Sequence, residues 1–157
     1  MGAVVKSGTR PIQGVIKVSC PPPHPGLWLL DSTPDPYFMD FGISNPSDNE
    51  GLMDLTSIGA HIVFLVTGRG NVVGNAVAPC MKITGNADTY TRMIDDMDFN
   101  AGTTLDGSMS LAESADALAA MVADVASGTT SKSEALGHKE FHILYKYQSK
   151  EVLPCES

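Results

Sequence analysis

Short apolar runs alternate along this 157-residue chain with segments that carry helix-start signals, and that alternation is the strongest constraint on its fold. Residues 27–30 (LWLL) close on Asp31, and residues 61–66 (HIVFLV) break into Thr67-Gly68-Arg69-Gly70. Residues 80–84 (CMKIT) stop before Gly85, and residues 97–100 make a brief fourth run. Apolar runs of this length bounded by turn residues read as buried strands. Between them, Asp48 reads as the cap of a helix to about Ile58, with Glu50 in the first turn, Leu52, Leu55 and Ile58 at helical spacing, and Gly59 closing it. Asn86 caps a helix to about Ile94. Over residues 111–127 a capping box of Ser110 and Glu113 precedes Leu111, Ala115, Leu118, Val122 and Val125 at 4, 3, 4, 3 spacing, and Gly128 ends the helix. A second S-x-x-E, Ser131 to Glu134, starts a short helical turn, and residues 141–147 alternate like an edge strand. Strands interleaved with helices pair in parallel through right-handed crossovers, so the expected class is α/β with a mainly parallel sheet and flanking helices.

Ahead of this pattern, residues 12–18 (IQGVIKV) read as a strand that needs something else to pack on, and Cys20-Pro21-Pro22-Pro23-His24-Pro25-Gly26 as a stiff connector. Residues 1–25 are accordingly expected to be an N-terminal segment and Pro-rich linker, and residues 26–157 an α/β domain. A chain of this length buries roughly 68–70% of its unfolded surface, enough for a real core. No apolar run approaches the ~18 residues of a bilayer span. The first ten residues lack a signal-peptide apolar region, Lys6 breaks the myristoylation pattern after Gly2, and Pro46 blocks the glycosylation triplet at Asn45. Cys20, Cys80 and Cys155 are odd in number and far apart, which spells neither a disulfide framework nor a metal knuckle and fits a reducing cytoplasm. The net charge of −8, without a basic cluster, argues against nucleic acid and anionic membranes. An acid-binding site must then be built locally, from cations such as Arg69 and Lys82.

Ligands of open α/β sheets sit beyond the carboxyl ends of the strands. That rule selects Asp31, the Thr67-Gly68-Arg69-Gly70 loop and the segment Asp98 to Gly102. Gly68, Gly70 and Gly74 loosely imitate a dinucleotide fingerprint, but Val73 stands where its third glycine belongs, and the following NVVGNAVAP is a poor helix. Two readings of Arg69 remain. It is a solvated loop cation, or a planar fork that grips a carboxylate while Gly68 and Gly70 allow close backbone approach. The acidic stretch from Asp96 fails as a calcium loop, because Gly107 occupies the position of its bidentate Glu. If Met97 and Phe99 enter the core, alternation sends Asp98 and Asn100 together toward a ligand, a metal or solvent. His138 and His142 are four apart, but the alternation around them favours ordinary strand histidines over metal ligands. Cys80 reads as a small core residue.

Taken together, TGRG after an apolar strand, APCMKITGNADTY, DDMDFNAG, the helix ending VASG and the tail SKSEALGHKEF resemble the C-terminal region of the altronate and galactarate dehydratases. KSGTRPIQGVIK resembles the segment preceding that region. The resemblance implies a Rossmann-like α/β variant in a cytoplasmic hydro-lyase, dependent on iron or another divalent metal. Such an enzyme removes water from an aldonic or aldaric acid to give a 2-keto-3-deoxy acid. It also implies a further N-terminal portion, with a small β-rich domain, as partner, or a homo-oligomer; the alternative is a non-catalytic sugar-acid binding or assembly module. Charge that develops on the carboxylate during proton removal has to be neutralised. On that basis Arg69 is expected on the substrate carboxylate with the Gly68 and Gly70 backbone amides on the same oxygens, Thr67, Asn71 and Asn100 among the substrate-binding residues, Asp98 with Asn100 on the metal or the sugar hydroxyls, and Lys82 as base or charge partner, unless it snorkels at a strand edge.

Overall fold

A computed structural model describes residues 2–33 and 47–142. The chain forms two compact units, one of residues 1–60 and 142–157, the other of residues 61–141.

The first unit holds α1 (Gly2–Lys6), β1 (Ile12–Lys17), β2 (Leu27–Asp31) and α2 (Asp48–Ser57). Strands β1 and β2 pair in parallel, with Ile12 opposite Leu27 and Lys17 opposite Asp31. Trp28 fastens the connector between them: its indole N–H donates to the His24 carbonyl at 3.1 Å, and the His24 ring meets it edge-on at 5.0 Å. The facing position on β1 is Gly14, where a Cβ would lie 2.9 Å from the indole ring, so the absence of a side chain there admits Trp28. The expected cap of α2 shifts by one residue. Ser47 is the N-cap because Glu50 then falls at N3 and closes a reciprocal capping box. Cys80, in the second unit, is a free buried thiol.

The second unit contains β3 (Val63–Thr67), β4 (Cys80–Thr84), α3 (Ala87–Arg92), β5 (Phe99–Asn100), α4 (Gly102–Leu105), α5 (Leu111–Ala126) and α6 (Lys132–Ala135). Its sheet has the order β3-β4-β5, every pair parallel. The α/β class is therefore as expected. All five residues of β4 are buried, as a central parallel strand requires. By contrast β3 has one sheet neighbour among the described residues, and Phe64 and Val66 on it are exposed although Met81 and Ile83 beside them are buried. The reading of β3 as fully buried thus fails, because an apolar run does not disclose whether a strand lies at an edge. Asn86 caps α3 through the N–H groups of Asp88 and Thr89, and Ser110 with Glu113 boxes α5. The expected apolar stripe of α5 is only partly covered: Val125 is buried, Leu111 is 75% exposed, and Ser114 is buried in its place. Residues 114, 118, 121 and 125 form a neighbouring stripe at the same helical period, and an Ala-rich helix separates the two only weakly. Residues 143–147 of the expected edge strand lie outside the described residues. Among the described residues no helix is long and apolar enough to cross a membrane.

Candidate functional site

Parallel register places Thr67, Thr84 and Asn100 side by side in one row at the carboxyl ends of β3, β4 and β5. The three loops that leave this row are stitched together. Gly85 N–H donates to the Thr67 carbonyl at 3.4 Å, Ala101 N–H to the Thr84 carbonyl at 2.8 Å, and the Thr89 hydroxyl to the Gly68 carbonyl at 3.0 Å. Two glycines permit this closeness. Gly70 has φ +87°, and a Cβ there would lie 2.1 Å from Met93 Sδ, while one at Gly102 would lie 2.7 Å from the Ala87 nitrogen.

Of the residues selected from sequence, Thr67, Gly68, Arg69, Gly70 and Asn100 therefore share one edge of the sheet. The Thr67 hydroxyl accepts the Arg69 N–H at 3.3 Å, turning the loop locally. Arg69 itself is exposed, and among the described residues no carboxylate lies within ion-pair distance of it. Asn71 folds back on its own loop, its Oδ1 accepting the Val73 N–H at 2.8 Å. Asn100 Oδ1 likewise accepts the Gly102 N–H at 3.0 Å. Asp31 belongs to the other unit, where the Lys17 ammonium donates to it. The Lys17 hydrogen bond first, then those of Thr33, bring the Asp31 carboxyl down to about 2 from 3.8.

Lys82 and Asp98 sit one layer deeper. Lys82 does not snorkel, because β4 is the middle strand. Its side chain is 0% exposed, and Nζ lacks a hydrogen-bond partner and faces Asp96 Oδ1 at 3.6 Å. Asp98, expected to face a ligand, is 8% exposed. One of its oxygens accepts the Lys82 N–H at 2.7 Å, and the other accepts the Lys132 N–H, in the first turn of α6, at 2.8 Å. It thereby ties the sheet to a helix start, where a carboxylate is favoured. Among the described residues no group of three or more His, Cys, Asp or Glu could hold a metal ion. With both Asp98 oxygens engaged by backbone donors, the described residues do not fit a divalent-metal cage. The two histidines have separate surroundings: His138 N–H donates to the Ser133 carbonyl at 2.9 Å, and His142 Nε2 lies 3.3 Å from Glu50 Oε1.

A strap formed by residues 138–140 was not anticipated. Glu140 Oε2 accepts the Gly74 N–H at 2.8 Å, and the Glu140 carbonyl accepts the Ala76 N–H at 3.1 Å. Burial raises the Glu140 carboxyl, but the Gly74 N–H, its own N–H and the charges of His138 and Lys82 outweigh that and hold it below its ordinary value. A Cβ at Gly74 would lie 2.6 Å from the His138 carbonyl oxygen. The third glycine of the failed nucleotide fingerprint is thus a seat for this strap. Ser133, buried, donates to the Cys80 carbonyl at 2.8 Å. The S-x-x-E pattern signalled the turn that carries it but not where that turn docks.

Comparison with known proteins gives two findings. Residues 1–149 match the family described as D-galactarate/altronate dehydratase, C-terminal. The chain is also 32% identical over 150 residues to the (2R)-sulfolactate sulfo-lyase subunit beta of Chromohalobacter salexigens, a match that covers 95% of this chain and 36% of that protein.

Proposed function

Since this chain belongs to the D-galactarate/altronate dehydratase family, as its C-terminal region, we propose that it supplies the carboxylate-gripping half of a lyase for small hydroxy acids. The substrate is an aldonic or aldaric acid of the altronate or galactarate type. The product is the 2-keto-3-deoxy acid left when water departs. The observation that carries this reading is Arg69, exposed and without an acidic partner among the described residues, on the glycine-flanked loop that leaves Thr67 at the strand-end row shared with Asn100.

Removing the proton next to a carboxylate puts negative charge on that carboxylate, and catalysis requires a group that binds the charge more tightly as it grows. A guanidinium does this through two parallel hydrogen bonds to the two oxygens. Gly68, where an added Cβ would meet nothing within 4 Å, leaves the adjacent backbone bare so that an acid approaches closely, while Gly70 lets the loop close on Met93. Thr67 and Asn100, in the strand-end row, take the substrate hydroxyls. Lys82 acts from beneath as a buried positive charge and touches no substrate. The chain spans 36% of the sulfo-lyase subunit, and a further polypeptide portion, or a second copy, completes the enzyme in the cytoplasm.

The sulfo-lyase relative favours a second reading, in which the 2-hydroxy acid expels sulfite in place of water. Both eliminations begin with the same proton removal and need the same carboxylate clamp. The complete protein should be assayed for keto-acid release from D-altronate and D-galactarate and for sulfite release from (2R)-sulfolactate. Arg69→Lys keeps the charge but loses the fork, and its kcat and kcat/KM should fall about tenfold or more, the equivalent of one charge-assisted bond. Unchanged turnover in that variant refutes the clamp, and binding without keto-acid formation identifies the non-catalytic module instead.

A further inference from the structure

We infer that Thr89 is a positioning residue, whose hydroxyl fixes the peptide bond leading into Arg69 and so sets where the guanidinium stands. The inference rests on the carboxylate clamp proposed above. Gly68 and Arg69 share one peptide unit, and both of its polar ends are held. On one side the Thr89 hydroxyl donates to the Gly68 carbonyl at 3.0 Å; on the other the Arg69 N–H donates to the Thr67 hydroxyl at 3.3 Å. A planar peptide anchored at its carbonyl and its N–H resists rotation about its long axis. That restrains ψ of Gly68 and φ of Arg69 together, and with them the direction in which the arginine side chain leaves the loop. Gly68 supplies no such restraint itself, since a glycine is conformationally permissive and nothing lies within 4 Å of where its Cβ would be.

The Thr67 bond is local to the loop, whereas Thr89 ties the loop to a helix. Thr89 is 1% exposed, and its own N–H donates to Asn86 Oδ1 at 3.2 Å in the first turn of α3. Its methyl meets the loop again beyond the arginine: a Cβ at Gly70 would lie 3.2 Å from Thr89 Cγ2 and 2.1 Å from the sulfur of Met93, one turn further along. Arg69 is thus bracketed by two contacts to a single buried side chain, the hydroxyl on Gly68 before it and the methyl against Gly70 after it. Thr91, in the same helix, shows the usual alternative. Its hydroxyl turns back to the Ala87 carbonyl four residues earlier at 3.0 Å, and the residue is exposed. Thr89 instead directs its donor to a carbonyl 21 residues away.

Thr89→Val keeps the branch that touches Gly70 and removes the hydroxyl, Thr89→Ser keeps the hydroxyl, and Thr91→Val makes the first change two residues on as a control. The complete protein is assayed with whichever of D-altronate, D-galactarate and (2R)-sulfolactate it converts. In Thr89→Val, kcat and kcat/KM should fall about tenfold, within the roughly 10²-fold that a misplaced group can cost; Thr89→Ser should recover to within about threefold and Thr91→Val stay within about twofold. In an Arg69→Lys background, Thr89→Val should cost less than about twofold more, because residues that act through one group are not additive. A hydroxyl that only supported the fold would lower Tm and leave that coupling at zero. Backbone amide relaxation of the whole 157-residue chain reads the restraint without any substrate: the Arg69 order parameter should drop from about 0.85 toward about 0.6 in Thr89→Val. Equal order at Arg69 in both proteins, additive losses in the double variant, or no recovery in Thr89→Ser overturns the inference. Parental turnover in Thr89→Val beside an impaired Arg69→Lys overturns it and spares the clamp; parental turnover in Arg69→Lys overturns both.

Discussion

Replacing Gly74 by alanine tests the strap by adding one methyl group. The new Cβ would stand 2.6 Å from the His138 carbonyl oxygen and 2.7 Å from the His138 Cβ, and neither is the end of a flexible side chain. Restoring an ordinary separation of about 3.4 Å moves the strap by about 0.8 Å, which carries the Gly74-to-Glu140 bond from 2.8 Å beyond hydrogen-bond range. That bond has a carboxylate acceptor and is worth about 1.5–3 kcal/mol; the weakened Ala76 bond adds about 0.5–1 kcal/mol. The sum is roughly 2–4 kcal/mol, a fall of about 5–15 °C in Tm for a chain of this size. Gly68→Ala is the matched control, because nothing lies within 4 Å of its added Cβ, and it should shift stability by no more than about 0.5 kcal/mol. Urea and thermal unfolding of the whole chain, with amide exchange at Ala76, read the outcome. A Gly74→Ala protein within about 1 °C of the parent, or a Gly68→Ala protein as unstable as Gly74→Ala, refutes the reasoning.

Two further predictions concern titration. Because the Asp31 carboxyl falls from 3.8 to about 2 on folding, it stabilises the first unit above its unfolded value and loses that contribution as pH drops from 3.8 toward 2. Lys17→Met removes the leading cause, so acid unfolding followed by Trp28 fluorescence should become less steep across that window; an identical profile counts against the pair. In the second unit, burial first, aided by Asp98 and Glu140 against Lys82, pushes the Cys80 thiol up to about 11. Thiolate is the reactive form, so Ellman's reagent at mildly alkaline pH should label Cys80 only after unfolding. Rapid stoichiometric labelling of the folded chain is the contrary result.

How much of this was legible in the sequence follows from the range of each interaction. Asn86 and the Ser110–Glu113 box were readable because capping is settled within three residues. The one-residue error at α2 arose because Ser47 and Asp48 are both good caps and only the reach of Glu50 decides between them. The strand-end grouping of Thr67, Gly68, Arg69 and Asn100 was readable from the rule for open α/β sheets, since it depends on strand direction alone. What depended on neighbours was not readable. For Lys82, a base or charge partner or else a snorkelling edge lysine, the snorkelling alternative stayed open until the order β3-β4-β5 put its strand in the middle. Asp98 was expected to face a ligand or a metal, and its bond from the first turn of α6, 34 residues on, was not readable. Gly74 had no local reason to be glycine, and its partner stands 66 residues away.

Thr67, Thr84 and Asn100 end their strands at a common level, and that evenness separates frame from specificity. Each exit segment begins from a fixed platform, so one of them can lengthen or exchange side chains while the strand pairing beneath stays in step. A deletion inside β4 has the opposite character: it turns the strand's faces over and drives the Lys82 position into the wrong layer. Drift among descendants of such a chain should therefore collect in the turns above the platform, where the sequence can change without rebuilding the protein.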